Sequence, residues 1–245
     1  MEYLKDKTLI ITGASRGMGR ALALELAGRG VRLVLNARHE SALADAAAKC
    51  AALGAPVRHV AGNAAETKTA SRLLAQALEL GGFFGFIHAA GVLHPGPFLW
   101  ELSEAYFKEV LESHVTAAYQ LIRAALPELL RQGAGLAVFF GSGAAVSNLP
   151  GIGAYGAAKA GEEHLARQLA QEAPEITTFI FRPGVVDTRM QKQAREAKGG
   201  AAAILHRVFR GYYERGELSS PEEAARRLAE ILAGDPRRYH GQTAR

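Results

Sequence analysis

The chain has 245 residues, 49% hydrophobic and 22% charged, an ordinary globular composition with enough length for a substantial core. Its single cysteine, Cys50, excludes an internal disulfide and predicts a reducing, cytoplasmic location, while the charged start MEYLKDK and the short apolar run after it argue against a signal peptide or membrane span. The net charge of +5 lies wholly in residues 182–245, which hold 13 Lys and Arg against 8 Asp and Glu; with no basic stripe and no aromatic platforms, this predicts a solvated surface or a cavity rim for acidic ligands, not a nucleic-acid interface.

In chain order, TLIIT (8–12) reads as a buried strand, and a helix follows over 17–29. Between them Gly13, Gly17 and Gly19 allow a tight turn, close approach to a pyrophosphate, and a helix N-terminus facing the anion. The second strand, 31–36, runs into Ala37 and Arg38, without the acid that NAD-binding folds set against the ribose hydroxyls. Arg38 and Arg16 can instead pair with a 2′-phosphate, which favours NADP(H) over NAD(H); the other reading makes both plain surface cations. Next come helix 41–53, strand 57–61, helix 66–80, strand 83–89, a long helix 103–131, strand 136–141, helix 152–172 and strand 176–181, all six strands reading as buried. Segment 188–217 shows no strand and sits where a loop would cover a ligand crevice. Pro221, followed by Glu222 and Glu223, opens a last helix to 233. Strand–helix alternation predicts one α/β domain over 1–245, a doubly wound parallel sheet with helices on both faces.

Tyr155 and Lys159 stand four apart, on one face of the helix over 152–172, a spacing that is also common by chance. The run TGASRGMG (12–19), Ser142 thirteen residues before Tyr155, the YGAAK of Tyr155 and Lys159, and RPGVVDT (182–188) together resemble the short-chain dehydrogenase/reductase family over nearly the whole chain. The stretch PGVVDTRMQ and the short tail are further similar to the sepiapterin-reductase and benzil-reductase branch. The resemblance implies a Rossmann-like fold, a nicotinamide cofactor and a Ser–Tyr–Lys site that requires no metal. It places Gly13, Ser15, Arg16, Gly17, Met18 and Gly19 against the cofactor, and Pro183, Gly184, Val186 and Thr188 near its nicotinamide. Asp187 is expected to cap a helix. In carbonyl reduction, a proton must reach the developing alkoxide. A phenol ordinarily titrates near ~10, and a lysine cation ~4 Å away lowers this by about 3 units, or roughly 4 kcal/mol at an effective dielectric near 20. Tyr155 is thus the expected proton donor. Lys159 tunes it and holds the nicotinamide ribose, and Ser142 bonds the substrate oxygen.

The sequence also departs from the family. His88–Ala89–Ala90–Gly91 stands where Asn-Asn-Ala-Gly is usual; Ala90 and Gly91 retain the backbone contact to the adenosine ribose. Asn63 replaces an aspartate and can still bond the adenine amino group. His114 aligns with an asparagine that belongs to a water relay to the lysine. It reads either as a proton-relay catalytic residue or as a space-filler beside a carbonyl that holds the water. His94 is placed near the substrate mouth. Phe98 and Trp100 either line the pocket or anchor a loop.

The lid, 188–217, offers an apolar face from Met190, Ile204, Leu205, Val208, Phe209, Tyr212 and Tyr213. Its cations, Arg189, Lys192, Arg195, Lys198, Arg207 and Arg210, are available to an acidic group; the other reading is an amphipathic surface helix. The expected activity is NADP(H)-dependent reduction of a small ketone, diketone or aldehyde. The alternatives are a 3-oxoacyl thioester reductase and a catalytically weak NADP(H)-binding sensor or scaffold. The expected assembly is a homodimer, with a homotetramer second, packed through helices 103–131 and 152–172, where Ala117, Ala118, Ala124, Ala125, Ala160, Ala166 and Ala170 permit close approach.

Overall fold

The computed structural model describes residues 4–245; the first three residues of the charged start lie outside it. Each apolar run of the sequence becomes a strand: β1 (Thr8–Thr12), β2 (Arg32–Ala37), β3 (Val57–Ala61), β4 (Phe83–His88), β5 (Gly135–Phe140) and β6 (Ile176–Phe181). A seventh, β7 (Thr243–Ala244), adds a two-residue strand beyond the six that the sequence predicts. All pair in parallel, in the order β3-β2-β1-β4-β5-β6-β7. The order turns at β1 and β4, so the carboxyl ends of these two strands open the crevice in which such sheets bind ligands.

The period of two along each strand sorts the core into two layers. Leu9, Ile11, Leu33, Leu35, Ile87 and Val138 face one side, against α1 (Gly17–Gly28), α2 (Glu40–Ala51) and α9 (Pro221–Ala233). Ile10, Val34, Phe86, Ala137, Phe139 and Ile180 face the other, against α3 (Thr67–Leu80), α5 (Ala117–Gln132) and α6 (Gly153–Glu172). β3 is the exception to the expectation of buried strands. It is an edge, and its Arg58 and His59 are exposed.

The predicted long helix is not continuous. α4 (Glu104–Leu111) passes into one π-helical turn, Glu112–Thr116, before α5 begins. His114 lies in that wide turn and is buried. Segment 188–217 takes the helical of its two readings: it folds as α7 (Arg189–Arg195) and α8 (Ala202–Glu214). Thr188, not Asp187, takes the N-cap position of α7; Asp187 pairs instead with Arg195, 3.4 Å away. α9 begins as the sequence implies, with Pro221 in its first turn and a reciprocal Ser220–Glu223 capping box.

Gly85, on β4, lies tight against the backbone of β5. It has φ 152°, and a Cβ there would overlap the main chain of Leu136 on β5. We expect Gly85→Ala to destabilise the protein by about 3 kcal/mol through strain and overpacking, read as a lower urea midpoint at unchanged slope.

Candidate active site

The crevice is a cavity of about 700 Å3 at the carboxyl ends of the strands. Its walls include every residue expected to touch the cofactor or to act in catalysis. Gly13, Ser15, Arg16, Gly17, Met18 and Gly19 come from the β1–α1 turn, Arg38 from the end of β2, Asn63 from the β3–α3 turn, and Ala90 and Gly91 from the segment after β4. His114, Ser142, Tyr155, Lys159, Pro183, Gly184, Val186 and Thr188 complete them.

The glycine turn is pressed flat against its surroundings. A Cβ on Gly13 (φ 69°) would stand 2.8 Å from the main chain of Ala89 and Ala90, and one on Gly19 would strike Gly13. No side chain caps the N-terminus of α1, so its free N–H groups and positive dipole end remain available to an anion. Beside it three guanidiniums gather. Burial, with Arg189 and Arg38 close by, pushes Arg16 below its ordinary value. Arg16 and Arg189 have no hydrogen bond or ion pair from their side chains among the described residues. Arg38 does have one, to Glu109 at 2.5 Å, and Glu109 also contacts His94. Mutually repelling cations on one wall favour an anion between them. Asn63 uses its Oδ1 to accept from Ala65 N, which leaves its amide N–H2 free.

Tyr155 and Lys159 sit on α6, one turn apart. The Lys159 Nζ lies 6.0 Å from the centre of the Tyr155 ring. It donates to Phe140 O at 2.6 Å and to Glu162 Oε2 at 2.7 Å. Ser142, just past β5, accepts at Oγ from Ala144 N, so its own O–H is free to donate.

Two carboxylates escaped the sequence reading, Glu162 and Glu163, both buried on α6. Glu163 takes a two-pronged grip from Arg182, at 2.8 and 2.6 Å, and accepts from Ser142 N. It thereby ties the ends of β5 and β6 to the helix of Tyr155. Glu162 holds Lys159 and also faces His114 Nδ1 at 3.2 Å. Burial opposes the charge on Glu162, but the Lys159 cation against it outweighs burial and holds the carboxyl at about 2. Burial likewise opposes the Lys159 charge, yet Glu162 and Tyr155 raise its pKa overall. The signal for Glu162 was its spacing of three from Lys159 on one helical face.

Several expectations need correction. Of the lid's apolar residues, Met190, Val208, Phe209 and Tyr212 reach the cavity, whereas Leu205 packs beneath it and Ile204 and Tyr213 are exposed. Of its six cations, only Arg189 lines the cavity. His94 is not at the mouth; it stacks on Tyr106 and pairs with Glu109. Phe98 and Trp100 stack on each other outside the cavity. Among the alanines expected at a subunit contact, Ala117, Ala118, Ala125, Ala166 and Ala170 are buried within the chain itself.

Comparison with known proteins agrees with this geometry. A model of the short chain dehydrogenase family matches residues 7–199. The chain is similar to an NADPH-dependent pterin aldehyde reductase of Arabidopsis thaliana, 30% identical over 75% of this chain and 76% of that one. It is similar to a 3-oxoacyl-acyl-carrier-protein reductase of Vibrio cholerae, 28% identical over 98% and 95% of the two chains. Its fold matches an alcohol dehydrogenase of Thermococcus sibiricus solved with 5-hydroxy-NADP, with a TM-score of 0.79, 28% identity, and coverage of 97% and 94%.

His88, at the end of β4, has a measurable consequence. Thr12 Oγ1 accepts from Ala89 N and Ala90 N, so its O–H points at His88 Nδ1, 2.8 Å away. Burial pushes the imidazole from its ordinary 6.5 down to about 4. Its folded value lies below its unfolded one, so between pH 6.5 and 4 the unfolded chain binds more protons and stability falls as pH falls. The loss reaches about 3 kcal/mol at the bottom of that window. Urea midpoints at pH 7.5 and 4.5 will show it, and His88→Asn will have a distinctly smaller difference between the two.

Proposed function

The chain belongs to the short-chain dehydrogenase family, and on that premise we propose that this oxidoreductase uses NADP(H) to reduce the carbonyl of a ketone, diketone or aldehyde, with Tyr155 as proton donor. One observation carries the reading. A single cavity joins the flattened glycine turn and the crowded arginines to Ser142, Tyr155 and Lys159, and these to the apolar wall of Met190, Val208, Phe209 and Tyr212.

The residues fit a nicotinamide dinucleotide phosphate. Gly13 and Gly19 have no room for a Cβ against Ala89, Ala90 and Gly13, which keeps the turn flat, and the uncapped α1 N-terminus would offer its N–H groups to the pyrophosphate. Arg16 and Arg38 would take the 2′-phosphate, with Glu109 sharing Arg38. Asn63, Ala90 and Gly91 would hold the adenosine, and Pro183, Gly184, Val186 and Thr188 the nicotinamide end. Bound there, the cofactor supplies the hydride.

The chain's own groups do the rest. Ser142 donates its free O–H to the carbonyl oxygen and orients it. Tyr155 gives its proton to the same oxygen as negative charge develops there. Lys159, fixed by Phe140 O and Glu162, favours the resulting phenolate. The segment 188–217 acts as the lid, and its apolar inner face keeps water from the reacting carbon. With five of the six lid cations outside the cavity, the acyl-thioester alternative gains nothing from the lid. The assembly that goes with this reading is a homodimer through α4, α5 and α6, with a homotetramer second; Ala124 and Ala160 are only partly buried there.

Two measurements test the reading. Following NADPH oxidation against diketones, aldehydes and 3-oxoacyl thioesters, Tyr155→Phe should lower kcat by about 100-fold or more while leaving NADPH Kd within about threefold. Comparable losses of rate and of affinity would remove Tyr155 from the proton step. Arg38→Asp should lower the NADPH/NADH preference by about tenfold to 100-fold, as expected for one lost charge-assisted contact. An unchanged ratio would defeat the 2′-phosphate assignment.

A further inference from the structure

The contacts among Lys159, Glu162 and His114 leave one proton unassigned. Val92 O can only accept, so its 3.0 Å contact places an N–H on His114 Nε2. Glu162 Oε2 already accepts from Lys159 and faces His114 Nδ1 at 3.2 Å. A neutral imidazole has one N–H and cannot donate in both directions. The other carboxylate oxygen, Oε1, is buried without any hydrogen-bond partner among the described residues. The trio therefore has a vacant position for a proton between Nδ1 and Oε2, one hydrogen bond from the Lys159 ammonium.

We propose that His114 and Glu162 form a proton relay for Lys159, taking up a proton as Lys159 gives its own toward Tyr155 and then passing it on. The proposal rests on the reductase reading above for its last step only. In that step the carbonyl carbon gains the hydride and its oxygen gains the Tyr155 proton. The phenolate then takes a proton from Lys159, leaving a neutral amine. His114, which lines the cavity, draws a proton from water into the vacant position, and Glu162 hands it to the amine, which restores the ammonium and leaves the position empty again. No atom or electron is left over.

The physical drive is Coulombic. With Lys159 charged, burial and that cation hold His114 below the usual imidazole range, so the vacancy stays empty. Once Lys159 is neutral, the repulsion disappears, Glu162 loses its cation, and the same position becomes attractive to a proton. The titratable groups that face His114 are few: Tyr155, Lys159 and Glu162 on α6, and His88 on β4. His88 stays neutral at working pH, Glu163 is occupied by Arg182, and Glu112 on His114's own turn is exposed. The π-helical turn is what buries His114 at this point.

The test follows the full-length protein, 15N-labelled at histidine, by NMR through a pH titration, with His114→Asn identifying the His114 signals among the eight histidines. Lys159→Met and Lys159→Gln, two replacements of different polarity that both mimic the uncharged amine, should each raise the His114 midpoint by about one pH unit. Glu162→Gln should lower it. In the same protein Glu162→Gln should reduce kcat about tenfold, increasingly above about pH 8, with KM for the carbonyl within about twofold. A His114 midpoint unmoved by either lysine variant overturns the proposal, as does a wild-type kcat in Glu162→Gln across the alkaline range. If the wild-type protein turns over no carbonyl, the reductase reading fails instead, and the titration alone decides the proton coupling.

Discussion

Two buried carboxylates on consecutive residues of one helix constrain the active end of this protein. Side chains at successive helical positions point about 100° apart, so Glu162 and Glu163 cannot share a partner. Each needs its own cation, because an unpaired buried charge is costly. Glu162 takes Lys159 from its own helix and His114 from the π-helical turn. Glu163 takes Arg182 from beyond β6 and the Ser142 amide from beyond β5. One short stretch of α6, the helix of Tyr155 and Lys159, is thereby fastened to three neighbouring elements, which include those of Ser142 and His114.

The same arrangement modifies the electrostatics expected of a Tyr–Lys pair. A lone ammonium beside a phenol acts with its full charge. Here a carboxylate lies against that ammonium, and its field is partly cancelled. The cancellation depends on the protonation of His114 and Glu162, so the charge felt at Tyr155 is set by the trio and not by Lys159 alone. At the other end of the cavity the opposite holds: among the described residues Arg16, Arg38 and Arg189 have only Glu109 among them, and the local excess is positive. The cavity thus joins a cationic wall to a buried, nearly compensated cluster of charges.

Much of the fold was legible because its signals are local. Buried strands of a parallel sheet read as apolar runs, and the period of two within them assigns Leu9 and Ile10 to opposite layers. The helix at Pro221 declares itself through its capping box. The lid segment reads both as a covering loop and as an amphipathic helix, because Ala, Gly and Arg dominate it. The apolar spacing of Leu205, Val208, Phe209 and Tyr212 was the helical signal present there. β7 has two residues, too few for any periodicity, and exists only because β6 offers it an unpaired edge.

The candidate site residues, their spacing, and the glycines that make the turn are legible in the sequence itself, because each depends on neighbours within one element or one turn. What the tertiary structure decided is which charges meet. Nothing in the order of residues brings Arg182 to Glu163, Glu109 to Arg38, or His114 to Glu162, contacts that span 19, 71 and 48 positions. A glutamate in a helix reads as a solvated residue until a sheet and a neighbouring turn remove its water. Only then does its charge need a partner, and only then does a histidine in a widened helical turn become part of the site.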